Sequence, residues 1–193
     1  EEMIVCGHIV SPHGVQFGHV QIEDDRIVAV GPYLGKPDFE YGEDCLIFAG
    51  MGDIHIHARD DLSERETYKE DFVTAAAAAI NGGVVHVADM PNNPEAPIDD
   101  SSYAAKTAHM TSRGVPIQVT LYAGIGPGTR PLTQPVPYKA YMGPSVGHLF
   151  FESLEQLDET LSHYRGCDVS FHCEDPEELE RHKNASTHEE QRH

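Results

Sequence analysis

From residue 50 onward short apolar runs alternate with helix-like stretches, and this rhythm constrains the fold more than any other feature. Val84-Val85-His86-Val87-Ala88, Ile117 to Tyr122, Tyr138 to Met142 and Asp168 to His172 read as strands. Tyr68–Ile80 carries a five-alanine run and stops at Asn81-Gly82-Gly83, which predicts a helix. Asp100–Ser112, stopped by Gly114, and Phe151–Tyr164 read likewise, whereas Gly124–Pro137 reads as an irregular loop. Such alternation implies a parallel sheet with right-handed crossovers, and active sites then collect at the C-terminal strand ends.

Residues 1–48 differ. Ile4-Val5, His8-Ile9-Val10, Val20-Gln21-Ile22 and Ile27 to Val30 are β-rich runs punctuated by turn residues, a small β-domain ahead of an α/β domain over 49–193. A closed eight-stranded (β/α) barrel takes about 250 residues. The four strands from Val84 onward and the one that carries His55 and His57 therefore make a partial barrel or an open sheet.

The most informative segment is Asp53-Ile54-His55-Ile56-His57-Ala58-Arg59-Asp60. Residues two apart on a strand share a face, so His55 and His57 can reach one metal ion from a strand end, and Arg59 adds a cation suited to a carboxylate. Two ordinary strand histidines are the plain alternative. Lys139 lies in an apolar strand, where burial favours the neutral amine. A neutral amine can take up carbon dioxide as a carbamate able to bridge two divalent ions; a lysine snorkelling from a strand end is the alternative. His172 can offer a further imidazole from the next strand.

Charge and cysteines narrow the class. With 32 acidic against 13 basic residues, the net charge of −19 argues against nucleic acid and membrane surfaces as partners. The acidic stretch from Glu174 to Glu190 reads as a solvated helix face. Cys6, Cys45, Cys167 and Cys173 form no Cys-x-x-Cys pair, and no signal peptide or long apolar run is found, so a cytoplasmic protein with reduced thiols is expected.

In order along the chain, His55-Ile56-His57-Ala58-Arg59-Asp60, Tyr68-Lys69-Glu70-Asp71 with the alanine run to Gly82-Gly83, and Asp89-Met90-Pro91-Asn92 resemble dihydroorotase motifs of the amidohydrolase superfamily. Lys139-Ala140-Tyr141-Met142-Gly143-Pro144-Ser145-Val146-Gly147 resembles the segment around that family's carboxylated lysine, and Phe171-His172-Cys173-Glu174-Asp175 its next histidine-bearing strand. The resemblance implies the first five or so βα units of a (β/α)8 barrel with a small N-terminal β-sandwich-like domain. It implies two Zn2+ ions (or other divalent metal), with His55 and His57 on one, carboxylated Lys139 between them with carbon dioxide as its source, and His172 on the other. Arg59 and Asn92 would grip the carboxylate of a small-molecule substrate, and the reaction would interconvert N-carbamoyl-L-aspartate and dihydroorotate in pyrimidine biosynthesis.

The sequence departs from the family pattern at Ala49, Gly52, Asp60-Asp61-Leu62 and Asn93, changes expected to alter loops rather than ligands. The family's remaining metal histidine and its catalytic aspartate have no counterpart, and His182, His188 and His193 match neither. The chain is accordingly expected to be about the first half of such an enzyme, inactive by itself. Missing elements would come from further chain, a homo-oligomer or a transcarbamoylase partner. A hydantoinase or dihydropyrimidinase shares the paired histidines and the lysine, although Arg59 argues against it. A non-catalytic dihydroorotase-like scaffold and an open-sheet binding module are the remaining alternatives.

Overall fold

The computed structural model describes residues 2–143, 149–175, 178, 181 and 182, and the acidic stretch after Asp175 lies largely outside them. The chain divides into two compact units, Glu1–Met51 and Gly52–His193.

In the first unit β1 (Glu2–Ser11) and β2 (Gly14–Glu23) form a hairpin in which Glu2 pairs with Glu23 and Ser11 with Gly14. The runs expected separately at Ile4-Val5 and His8–Val10 are one strand. β3 (Arg26–Gly31) adds to β2 with a register shift at Gln21/Ile22, where Asp24 and Asp25 turn with φ of 46° and 63°. The short β4 (Phe39–Glu40) and β5 (Leu46–Ile47) both run parallel to β1, completing a single five-stranded sheet. Ile4, Cys6, Ile9 and Val20 are its buried apolar side chains.

The second unit is α/β. β6 (Met51–Ile56), β7 (Val84–Asp89) and β8 (Gln118–Leu121) form one three-stranded sheet, and β7 and β8 are parallel. β9 (Ala123–Ile125), β10 (Tyr138–Tyr141) and β11 (Val169–His172) form another, all parallel. The expected strand Ile117–Tyr122 ends one residue early, and at Tyr122 the chain passes from one sheet to the other. Gly124 and Ile125, read from sequence as loop, are strand. A Cβ on Gly124 would collide with the Leu149 side chain, so glycine here reflects a close approach rather than a turn.

Helix α1 (Phe72–Asn81) starts later than the sequence suggests. Asp71 is its N-cap, accepting from the Thr74 amide at 2.7 Å, while the Asp71 amide donates to the Thr74 hydroxyl at 3.2 Å. This capping box fixes the start, so Tyr68-Lys69-Glu70 stay outside the helix. Gly83, at φ 77°, follows its end. α2 spans Asp100–Ser112 as expected, capped by Asp99. α3 is shorter than expected, Leu154–Leu161, because Ser153 caps it and the chain turns after Ser162. The larger core joins Ala123, Ile125, Tyr138, Ala140, Met142, Phe151 and Tyr164, and a smaller one Ala58, Phe72 and Leu121. Each fully buried aromatic or aliphatic side chain contributes about 1.5–3 kcal/mol.

Candidate active site

His55 is the next-to-last residue of β6, and His57 directly follows the strand. Their rings lie 5.2 Å apart, edge to face. The strand alternation that predicted a shared face therefore holds at the side chains. His57 Nδ1 lies 2.8 Å from Asn92 Oδ1. With the amide oxygen facing it, Nδ1 is the donor and Nε2 keeps its lone pair, an orientation typical of imidazoles placed as ligands. Burial lowers the pKa of both rings. Lys139 and His172 lower His55 further against a rise from Asp53; Arg59 lowers His57 further against the Asn92 hydrogen bond. Both imidazoles are thus biased towards the neutral form, in which a ring nitrogen can donate electrons to a metal.

The turn after β6 is braced by the loop after β7. The Ala58 amide donates to Asp89 Oδ1 at 2.8 Å, and the Met90 amide to the Ile56 carbonyl at 2.9 Å. Arg59 has φ 58°, a left-handed conformation that disfavours a side chain, and its Nη1 approaches the Asn92 carbonyl at 3.4 Å. The other Asp89 oxygen accepts from Lys106 Nζ at 2.7 Å, and Lys106 also donates to the Asn93 side-chain oxygen. Lys106 is 1% exposed and Asp89 fully buried.

Asp60 and Asp61, expected to alter only loops, are fully buried anchors. Asp60 takes Arg113 Nε at 3.1 Å and Nη2 at 3.0 Å, His109 Nε2 at 2.7 Å and the Phe72 amide at 3.3 Å. Burial pushes its carboxyl upward, but these hydrogen bonds outweigh it and hold the group below the usual carboxylate range. Asp61 takes the Ser63 hydroxyl at 2.6 Å and the Glu95 amide at 2.8 Å.

The other strand ends are less crowded. Lys139 is 2% exposed, and its Nζ lies 5.6 Å from the centre of the Tyr141 ring. No carboxylate pairs with it among the described residues. Burial lowers its pKa, with Cys173 opposing. The Tyr141 ring also stands 6.2 Å from that of His172, its cross-strand partner on β11. His172 Nε2 contacts Glu174 Oε2 at 2.9 Å. Burial and Asp89 push the Tyr141 hydroxyl pKa strongly upward.

The predicted residues thus fall into two groups. His57, Arg59 and Asn92 are in direct contact; Lys139 and His172 lie on adjacent strands and both act electrostatically on His55. Among the described residues no three histidine, cysteine or carboxylate side chains converge as a closed metal cluster. The sequence reading missed the Asp89–Lys106–Asn93 network and Tyr141. Tyr141 was detectable as the residue two beyond Lys139, on the same strand face. Lys106 carried no local signal, because its partners are 17 and 13 positions away.

No family model matches the chain. It is 29% identical over 183 residues to a dihydroorotase of Pyrococcus furiosus, covering 93% of this chain and 42% of that protein. It is 35% identical over 133 residues to a dihydroorotase of Pyrobaculum aerophilum, covering 68% of this chain and 33% of that protein. Over most of its length the chain is similar to proteins named dihydroorotase. It spans less than half the length of these relatives.

The chain also shares its fold with solved hydantoinases. An L-hydantoinase (dihydropyrimidinase) from Arthrobacter aurescens superposes with a TM-score of 0.75 at 19% identity, covering 95% of this chain and 44% of that one. A D-hydantoinase gives 0.72 at 21% identity, covering 94% and 42%. Likeness at this identity establishes the mixed α/β fold. Among the described residues, no helix is long and apolar enough to cross a membrane.

Proposed function

We propose that this chain carries the N-terminal part of a metal-dependent cyclic amidohydrolase site, that of a dihydroorotase interconverting N-carbamoyl-L-aspartate and dihydroorotate. The observation that carries the reading is the contact chain His57–Asn92–Arg59, which sets an oriented imidazole beside a guanidinium held in a left-handed turn. Bidentate guanidinium recognition suits a substrate carboxylate. Because Asn92 Oδ1 faces His57, donation from its side chain to a ligand comes from the NH2 group.

The donors present fit a divalent metal pair. His55 and His57 are biased neutral, Lys139 is buried with no carboxylate partner among the described residues and biased towards the amine that can be carboxylated, and His172 follows on the neighbouring strand. Ions of the zinc type held there would polarise the ring amide and make water a stronger nucleophile. The chain's own part is to orient those ligands and to anchor the substrate through Arg59 and Asn92. A partial (β/α)8 barrel with a sandwich-like N-terminal domain is supported by the parallel sheets and the hydantoinase likeness. Further units that would close it correspond to the part of the relatives this chain does not cover.

The test is calorimetric titration of the zinc-loaded chain with dihydroorotate and with dihydrouracil, which lacks the carboxylate. Preference for dihydroorotate that disappears in Arg59→Ala is the expected outcome. Equal binding of the two rings would overturn the dihydroorotase reading in favour of a hydantoinase-like site. Elemental analysis of the dialysed chain should find about one or two ions per molecule, lost in His55→Ala/His57→Ala.

A further inference from the structure

Tyr141 is 3% exposed, and among the described residues its buried hydroxyl finds no acceptor for its proton. Three other tyrosines packed into the same unit differ in this respect. The Tyr103 hydroxyl donates to the Leu121 carbonyl at 2.9 Å, the Tyr164 hydroxyl to Thr129 Oγ1 at 2.8 Å, and the Tyr138 oxygen accepts from the Leu132 amide at 2.8 Å. Were packing the only role of position 141, phenylalanine would fill the same space without burying a polar atom. A buried hydroxyl left without a partner is costly, and such groups in native proteins call for an explanation.

The surroundings say what is missing. Tyr141 lies on the same face of β10 as Lys139, with its ring 5.6 Å from Lys139 Nζ and 6.2 Å from the His172 ring. The Asn92 main-chain N–H, the Arg59 cation and the Asp89 carboxylate all act on its hydroxyl. Arg59 has donors only, and an amide N–H near the oxygen is likewise a donor. The Asp89 oxygens take the Ala58 amide and Lys106, and neither accepts from the Tyr141 hydroxyl. The hydroxyl proton therefore lacks an acceptor in a place where cationic and N–H donors gather, which is where an anionic ligand would bring one.

We propose that the Tyr141 hydroxyl donates a hydrogen bond to the substrate carboxylate, as a third donor beside Arg59 and Asn92. The proposal rests on the cyclic amidohydrolase reading above and adds a specificity-determining residue to it. A hydrogen bond to a charged group predicts that Tyr141→Phe weakens binding of dihydroorotate by about 10- to 100-fold. Binding of dihydrouracil should not change. Thermal stability of the free chain should stay equal or rise, because the orphaned hydroxyl is gone.

Calorimetric titration of the zinc-loaded parent chain, Tyr141→Phe and Arg59→Ala with both compounds separates the ideas. If Arg59→Ala abolishes the preference for dihydroorotate while Tyr141→Phe keeps parental affinity, the tyrosine proposal falls and the functional reading stands. If Tyr141→Phe weakens both ligands equally, or lowers the melting temperature, the hydroxyl has a structural role and the proposal is overturned. If the parent itself shows no preference, both fall together.

Discussion

The two sides of the candidate site are built in opposite ways. Around the turn after β6, polar groups are matched to other polar groups of the chain: Asp89 with Ala58 and Lys106, Asp60 with Arg113 and His109, Asp61 with Ser63 and Glu95, Asn92 with His57. On β10, among the described residues, Lys139 is buried with no carboxylate beside it and the Tyr141 hydroxyl with no acceptor for its proton. The first side is held rigid by its own bonds, which suits a clamp that must meet a ligand already in place. The second side keeps polar groups unsatisfied, which stabilises the free chain less but leaves electrostatic demand for something bound.

The contrast is broken most severely by Lys106→Ala. It would leave Asp89 buried and unpaired, costing about 3–5 kcal/mol. Urea denaturation of parent and variant measures this, and a loss under about 1 kcal/mol would show that the pair behaves as an exposed one.

Next in size is Asp60→Asn, expected to cost about 1–3 kcal/mol through its bonds to Arg113 and His109. The same carboxylate should make the fold acid-sensitive. Its folded pKa lies below the ordinary value, so the unfolded chain binds the proton more readily. The stabilisation is present above about pH 4 and lost as pH falls through the depressed folded value. Melting temperatures across that range should fall less steeply in Asp60→Asn.

A smaller loss, about 1 kcal/mol, is expected for Asn92→Ala. NMR titration should also show the His57 pKa falling, since the hydrogen bond that raises it is removed while burial and Arg59 remain. The least effect on folding is expected on the unsatisfied side. Lys139→Met should change stability by roughly zero or increase it, because a buried cation is replaced by an apolar chain of similar reach. Metal retention after dialysis should nonetheless fall. A large destabilisation by Lys139→Met would dissolve the contrast.

The same two sides differ in how far they can be read from sequence. His55, His57 and Lys139 announce themselves because strand alternation turns spacing into a shared face, and α2 is found at its true limits because Asp99 and Gly114 are strong end signals. The start of α1 is misplaced because helix propensity extends back through Lys69-Glu70, while the Asp71–Thr74 capping box decides the boundary. Gly124 looks like loop because glycine usually marks one; its strand conformation reflects packing against Leu149, 25 positions later (149 less 124). The brace of Asp60 by Arg113 spans 53 positions and leaves no local trace.

The left-handed turn at Arg59 has an evolutionary consequence. Its backbone at φ 58° would be more comfortable as glycine, while the proposed chemistry asks for a guanidinium. Relief of this conflict by R59G is worth about 1–2 kcal/mol of backbone preference. A lineage released from selection for activity would therefore gain stability by losing the cation. Arginine persisting here would mark a copy still under selection for its reaction; glycine would mark one kept only for its shape.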